Sequence, residues 1–242
     1  MYVTVYGNNA TCPEVDGACS CFLVETAGKK ILLDMGNGSL AKLQRDVDIS
    51  TLDLIVISHL HFDHFGDLFC AKYQLETRRA QGECISTIPL LTPALPDWAA
   101  AELLSNDVFE HYVIDEASQY ELESIRINFI AMVHLVESYG VRVEANGKIL
   151  AYSGDTGLCP QLSILAAGAD IFLCEATFSD GMCAEDGHHL SARSAASCAA
   201  ENGVGHLLLT HFHGDQAAEI LENASKRFPA TELTRIGGRY EV

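Results

Sequence analysis

Residues 55–67 read IVISHLHFDHFGD, and the predicted architecture is built around this stretch. Leu54 to Ile57 form a run of bulky apolar residues, which predicts a fully buried strand. Three histidines and a carboxylate follow within six positions: His59, His61, Asp63 and His64. Imidazole nitrogens suit zinc or iron, and a carboxylate oxygen adds a charged ligand that helps to hold a second ion. So dense a group at a strand end predicts a metal site.

Length and composition allow one large domain or two small ones. The chain has 242 residues, almost half of them apolar, which is enough for a sizeable core. No apolar run is long enough to span a membrane. The first residues read as a strand and not as a basic region followed by an apolar stretch, so a cytoplasmic location is expected.

The formal net charge of −18 bears on the partners. An acidic surface repels the phosphate backbone of nucleic acid and an anionic membrane. A nucleic-acid polymer and a membrane are therefore disfavoured as partners. A small anionic substrate remains compatible, because bound divalent ions can dominate the local field. A homodimer is also allowed.

The nine cysteines are scattered and include no C-x-x-C pair, so reduced thiols are expected. Cys19 and Cys21 are interpreted as structural. Trp98, the only tryptophan, is interpreted as a packing residue. His111 and His206 lie in or near predicted strands and are also expected to be structural.

Polar residues follow several other predicted strands. They lie just past the carboxyl ends of apolar runs, where α/β proteins place their ligands: Asp34, His134, Asp155, Glu175 and His211. Alternating strands and helices, with hairpins in each half, predict a sandwich of two mixed sheets with helices outside. The segments 24–29 and 143–148 form a weak internal echo, which fits two similar halves.

The H-x-H-x-D-H pattern of residues 59–64 resembles that of the metallo-β-lactamase-fold hydrolases, and the resemblance extends over nearly the whole chain. It implies a single α/β metallo-hydrolase domain over residues 1–242, folded as a four-layer αββα sandwich. It also implies two divalent metal ions, with Zn²⁺ expected and Mn²⁺ or Fe as alternatives. The first ion would be held by His59, His61 and His134. The second would be held by Asp63, His64 and His211, with Asp155 as the bridging carboxylate. His213 is an alternative to His211, which is preferred because it directly follows a strand.

The segments 175–178, 189–192 and 208–212 resemble the ribonuclease Z-like and phosphodiesterase branch of this superfamily. The resemblance implies that His189 meets the phosphate or the leaving group, so that Asp63 and His189 are the predicted catalytic residues. His188 is an adjacent alternative. Glu175 either orients His189 or ends a strand, and Asp34 is either a turn residue or a carboxylate that orients a ligand histidine.

The expected function is hydrolysis by a hydroxide shared between two ions, with a small phosphodiester such as a cyclic nucleotide as the substrate. The interval from His134 to Asp155 is filled by a hairpin centred on Asn146-Gly147, where ribonuclease Z usually carries its RNA-binding arm. A ribonuclease Z-like nuclease is therefore an alternative that the sequence favours less than a phosphodiesterase acting on a small substrate. A lactonase, thioesterase or β-lactamase-like acyl hydrolase would use the same ions. A metal-bearing structural or regulatory protein is disfavoured by the complete ligand pattern and the candidate acid. A two-iron redox enzyme is disfavoured because such members usually carry a flavin domain, which this chain is too short to hold.

Overall fold

Two mixed β-sheets face each other in the computed structural model, which describes residues 1–180 and 187–242. Strands and helices are numbered in chain order. The first sheet has seven strands in the order β14-β1-β2-β3-β4-β5-β6. Their bounds are β1 Tyr2–Gly7, β2 Cys21–Thr26, β3 Lys29–Leu33, β4 Leu54–Val56, β5 Ile88–Thr92, β6 Phe109–Val113 and β14 Arg239–Glu241.

The second sheet also has seven strands, in the order β13-β12-β11-β10-β9-β8-β7. Their bounds are β7 Gln119–Leu122, β8 Ile125–Ala131, β9 Tyr139–Ala145, β10 Lys148–Tyr152, β11 Ile171–Glu175, β12 His206–Thr210 and β13 Thr231–Leu233.

Seven α-helices connect the strands within the described ranges. Their bounds are α1 Ser39–Leu43, α2 Phe62–Phe65, α3 Leu68–Ala80, α4 Asp97–Leu103, α5 Pro160–Ala166, α6 Ala192–Glu201 and α7 Ala217–Arg227. None of the helices in this part of the chain combines the length and the apolar character that crossing a bilayer demands.

The apolar core has three layers, which together make the αββα sandwich. Val24, Val56, Val141 and Leu173 belong to the layer between the two sheets. Outside the first sheet, α1 and α3 cover apolar side chains of its strands. Outside the second sheet, α5, α6 and α7 do the same. The predicted fold class is confirmed.

The two sheets repeat one strand pattern. Strands β1, β2 and β3 pair antiparallel, and β3 to β6 pair parallel. Strands β8, β9 and β10 pair antiparallel, and β10 to β13 pair parallel. The hairpin turns correspond as well, since Ala27-Gly28 and Asn146-Gly147 all have positive φ, as type I′ turns require. The chain therefore contains the two similar halves that the weak echo suggested.

The parallel strands of both sheets bring their carboxyl ends to one edge of the sandwich. Asp34 directly follows β3 and Glu175 is the last residue of β11. His211 directly follows β12, and Asp155 lies three positions after β10. Side chains far apart in the sequence meet at this edge, as the order of strand ends predicted.

Candidate metal centre

The H-x-H-x-D-H segment folds as a bend followed by one short helix. Strand β4 ends at Val56, and an extended residue, His61, precedes α2. Asp63 and His64 are therefore helical, whereas His59 and His61 lie on the non-helical chain before the helix. This change of backbone conformation directs the four side chains into two neighbouring groups.

The first group consists of His59, His61 and His134. One ring nitrogen of each lies within 4.8 Å of one from each of the others. The Nδ1 atom of His61 is 3.1 Å from Nε2 of His134. The Nδ1 atom of His134 is 2.9 Å from the backbone carbonyl oxygen of His188. These are the three residues predicted for the first ion.

The second group consists of Asp63, His64, Asp155 and His211, all buried and also within 4.8 Å of one another. The Nε2 atom of His211 is 3.2 Å from Oδ2 of Asp63. A backbone amide, that of Thr11, donates to the same oxygen at 3.0 Å. The group matches the set predicted for the second ion, with the predicted bridging carboxylate included.

Asp155 lies between the two groups. Its Oδ2 atom is 3.3 Å from Nε2 of both His64 and His211. The same oxygen is 3.7 Å from Nε2 of His59 and 4.0 Å from Nε2 of His134. One carboxylate oxygen thus faces ligand nitrogens of both groups.

Three buried atoms of these groups indicate that the cluster fits a cation. Within the part of the chain that the structure describes, Nε2 of His59, Nε2 of His64 and Oδ1 of Asp155 have no hydrogen-bond partner. Leaving buried polar atoms unsatisfied costs free energy, so such groups normally have a partner. Imidazole nitrogens and carboxylate oxygens are ligands that zinc accepts.

Burial and neighbouring charges act in opposite directions on the pKa values of the cluster. Burial, with the neighbouring His64, holds the pKa of His59 well below its usual range. Burial also opposes charge on His64, but the carboxylates of Asp155 and Asp34 outweigh it and raise the pKa of His64 well above its usual range. The pKa of Asp155 is held well below its usual range, because His211 and His64 outweigh its burial. A neutral His59 has a lone pair ready for a cation.

Comparison with known proteins agrees with this arrangement. The family model described as "Beta-lactamase superfamily domain" matches residues 29–212. The chain belongs to the beta-lactamase superfamily. An uncharacterized protein of Mycobacterium tuberculosis, Rv1339, is 32% identical over 218 residues, which cover 86% of this chain and 80% of that protein.

A second relative indicates the ribonuclease Z-like branch of the superfamily, and a solved structure agrees in fold. Ribonuclease Z of Mycobacterium marinum is 25% identical over 274 residues, which cover 99% of this chain and 95% of the relative. The crystal structure of YhfI from Bacillus subtilis, a metallo-beta-lactamase fold protein, superposes with a TM-score of 0.93 at 22% identity, covering 99% of this chain and 98% of that one. The chain is thus a metallo-β-lactamase-fold hydrolase, and its histidine–aspartate cluster indicates that it binds a divalent metal.

A metal-binding histidine usually has its second ring nitrogen held by a carboxylate or carbonyl group, and Asp34 is in that position for His64. Its Oδ2 atom is 2.8 Å from Nδ1 of His64. The hydroxyl groups of Tyr152 and Ser58 donate to the same carboxylate oxygen at 2.6 and 2.8 Å. Asp34 has a left-handed backbone, with φ of 60°, so it is a turn residue as well. Both sequence interpretations of Asp34 are therefore compatible with its position.

A second network orients residues at the other side of the cluster. Glu175 is fully buried, and its Oε1 atom is 3.0 Å from Nδ1 of His189. Thr177 donates its hydroxyl to Glu175 at 2.7 Å, and its Oγ1 atom is 2.8 Å from Nδ1 of His211. His189 also lies in a group with His134 and Asp155, within 4.8 Å. The ring of His188 is farther from His134, with centroids 6.5 Å apart against 5.0 Å for His189.

Other candidates from the sequence lie outside the cluster. His111 is 2.9 Å from the hydroxyl of Thr92. His206 pairs with Glu232 at 3.2 Å. His213 belongs to none of the metal-competent groups among residues 1–180 and 187–242, nor do the buried Cys19 and Cys21.

Sequence reasoning assigned no role to Tyr152, Thr177, Ser58 or Thr11. For Tyr152 and Thr11 the contact with the cluster depends on long-range folding, since Tyr152 and Asp34 are 118 positions apart and Thr11 and Asp63 are 52 apart. A local signal existed for the other two, because Ser58 directly precedes His59 and Thr177 follows Glu175 by two positions at the end of β11.

Proposed function

We propose that this protein hydrolyses small phosphodiesters with two divalent ions, Zn²⁺ being the first candidate. The observation that carries the proposal is the position of His189, which Glu175 holds beside the histidine–aspartate cluster. When bound, the two ions would lower the pKa of a water molecule and stabilise charge on the phosphoryl oxygens.

The ligands follow from the two groups. His59, His61 and His134 would hold the first ion. Asp63, His64 and His211 would hold the second, and Asp155 would face both. A carboxylate in that position offsets the mutual repulsion of two cations, which neutral imidazoles cannot do.

His189 would act at the leaving oxygen. The contact of its Nδ1 atom with the buried Glu175 fixes the orientation of the ring. A histidine held in this way can transfer a proton to a leaving oxygen. General acid assistance of this kind is worth roughly 10²–10⁴-fold in rate. Thr177, which contacts both Glu175 and His211, would keep the two side chains in their orientations.

Two features support a small substrate over a folded RNA. Strands β9 and β10 occupy residues 139–152, so a two-residue hairpin fills the interval between His134 and Asp155. The net charge of −18 opposes a long polyanion, whereas one phosphodiester group is a small negative charge that two ions would outweigh.

An acyl hydrolase is the second candidate, favoured by one observation. The side chains of Val133 and Leu135, on either side of His134, are exposed. An apolar rim of this kind would suit the acyl chain of a lactone or thioester, and the same ions would polarise its carbonyl group.

The deciding experiment pairs elemental analysis of the purified protein with a panel of phosphodiesters, lactones and thioesters. We expect two metal ions per chain and fastest turnover on a phosphodiester. His189→Ala should keep both ions and slow phosphodiester turnover by roughly 10²–10⁴-fold. The matched control is His206→Ala, a histidine outside the cluster, which should behave as wild type. Fastest turnover on a lactone or thioester would favour the second candidate, and unchanged turnover of the His189 variant would remove His189 from the reaction.

A further inference from the structure

Four aromatic rings pack together beside the metal centre. Phe62 and Phe65 are nearly parallel, with ring centroids 5.7 Å apart. Trp98 and Phe69 are stacked at 5.8 Å. The two pairs meet where Phe62 and Trp98 lie 6.3 Å apart. We call Phe62 and Trp98, the two outer members, the aromatic rim.

The aromatic rim is unusually exposed for large apolar side chains. Phe62 is 62% exposed and Trp98 is 54% exposed, whereas Phe65 beneath them is buried. The sequence interpretation of Trp98 as a packing residue is thus only half right, since one side of its ring packs and much of the rest faces solvent. Adjacent exposed apolar side chains often mark a ligand site.

One of the two residues of the rim belongs to the metal motif itself. Phe62 lies between His61 and Asp63, which belong to the two predicted ligand sets, and it is the first residue of α2. Its backbone cannot move without moving both neighbours. A molecule whose phosphoryl group lies on the ions could then reach the exposed ring of Phe62 with one of its substituents.

On the basis of the proposed phosphodiesterase function, we propose that the aromatic rim is a stacking surface for a planar aromatic group of the substrate, such as a nucleobase. Base–aromatic stacking is sequence-tolerant, because every base has a π-face. The rim would thus favour a nucleotide-type diester over a diester without an aromatic group, and it would not discriminate between bases.

The size of the rim fits a base better than a second copy of the chain. Two aromatic side chains of about 150–250 Å² each, a little over half exposed, offer on the order of 200 Å². A stable protein interface needs about 800 Å² from each partner. A single base can cover most of the smaller area.

The first test uses the fact that Trp98 is the only tryptophan, so that it alone supplies the tryptophan emission. Zinc-loaded protein is titrated with adenosine monophosphate and, separately, with ribose 5-phosphate, which has the same phosphate group and no base. We expect saturable quenching by the nucleotide and little change with ribose 5-phosphate. Similar responses to both compounds, or no response to either, would overturn the stacking surface.

The second test compares adenosine 2′,3′-cyclic phosphate with glycerol 1,2-cyclic phosphate as substrates. Trp98→Ala should raise KM for the nucleotide by roughly 5- to 100-fold, so that the preference for it in kcat/KM falls by a similar factor. Trp98→Phe keeps an aromatic face and should retain most of the preference. Ile164→Ala is the matched control, an exposed apolar residue of α5 on the opposite outer layer, and should leave the preference unchanged.

The outcomes separate this inference from the proposed function. Turnover of both diesters with the same preference in wild type and Trp98→Ala would overturn the stacking surface and leave the phosphodiesterase proposal standing. Quenching by the nucleotide without turnover of any diester would support the surface and contradict the phosphodiesterase. A concentration-dependent dimer in sedimentation, abolished by Trp98→Ala, would assign the rim to self-association and overturn the inference.

Discussion

The Oδ2 atom of Asp34 and the Nδ1 atom of His64 lie 2.8 Å apart, and both side chains are fully buried. The same carboxylate accepts hydrogen bonds from Tyr152 and from the backbone and hydroxyl of Ser58. Asp34 directly follows β3 of the first sheet. Its carboxylate therefore links the segment after β4, in the same sheet, to β10 of the second sheet. The connection fixes the ring of His64 so that its Nε2 atom faces Asp155.

We expect Asp34→Ala to weaken metal binding by roughly 10- to 100-fold, the range found when a group that orients a metal-bound histidine is removed. The measurement is the dissociation constant for Zn²⁺, obtained by competition with a chelating dye. Glu222→Ala, which removes an exposed carboxylate on α7, is the control and should bind as wild type. Unchanged affinity in the Asp34 variant would show that His64 keeps its orientation without this contact.

Asp155→Ala should lose metal and activity together. Its Oδ2 atom faces nitrogens of both groups, so removing it leaves two cations without the carboxylate between them. Metal content by elemental analysis and turnover of the best substrate are measured on the same preparation. Two ions per chain with wild-type turnover would contradict the bridging role.

The fold and the edge where candidate ligands converge were accessible from sequence because both depend on strong local signals, whereas the division of the ligands between two ions came from the family resemblance. Short apolar runs predicted the buried strands, and the residue after each run identified the edge where ligands converge. His59, Asp155 and His211 could therefore be brought together without coordinates.

Other features lacked such signals. The four-residue helix α2 is too short to show a helical period, and its sequence was interpreted only as a ligand motif. Strand β14 has three polar or half-buried residues at a sheet edge and pairs with β1 at the far end of the chain. The exposure of Trp98 depends on which neighbours fail to cover it, and a single sequence does not carry that information.

The buried cysteines should be unreactive toward alkylating reagents in the folded protein. Burial raises the pKa of Cys19 to about 12, with the nearby carboxylate of Asp63 adding to the effect. The thiolate is the reactive form, so iodoacetamide at pH 8 should leave Cys19 unmodified and label the exposed Cys12, Cys70 and Cys84.

Mass mapping after digestion gives the labelled sites, and a sample unfolded in guanidinium chloride is the control in which Cys19 becomes accessible. Rapid labelling of Cys19 in the native protein would show that the segment between β1 and β2, which contains Cys19, opens readily. Cys183 lies outside the described residues.

Thr177 should act through the residues that it positions. Its hydroxyl bridges Glu175 and His211, and its Oγ1 atom is 3.2 Å from Nδ1 of His189. Thr177→Val keeps the shape and removes the hydroxyl, which leaves buried polar partners without a hydrogen bond. We expect a loss of roughly 10- to 100-fold in metal affinity, activity or both.

Thr177→Ser is the matched variant, because it restores the hydroxyl without the methyl group. We expect it to recover most of both properties, whereas a purely steric role would leave Thr177→Ser worse than Thr177→Val. Zinc affinity and kcat are measured separately for both variants. If Thr177→Val loses kcat while keeping zinc, the hydroxyl serves mainly Glu175 and His189. If Thr177→Val loses zinc affinity, the hydroxyl serves mainly His211.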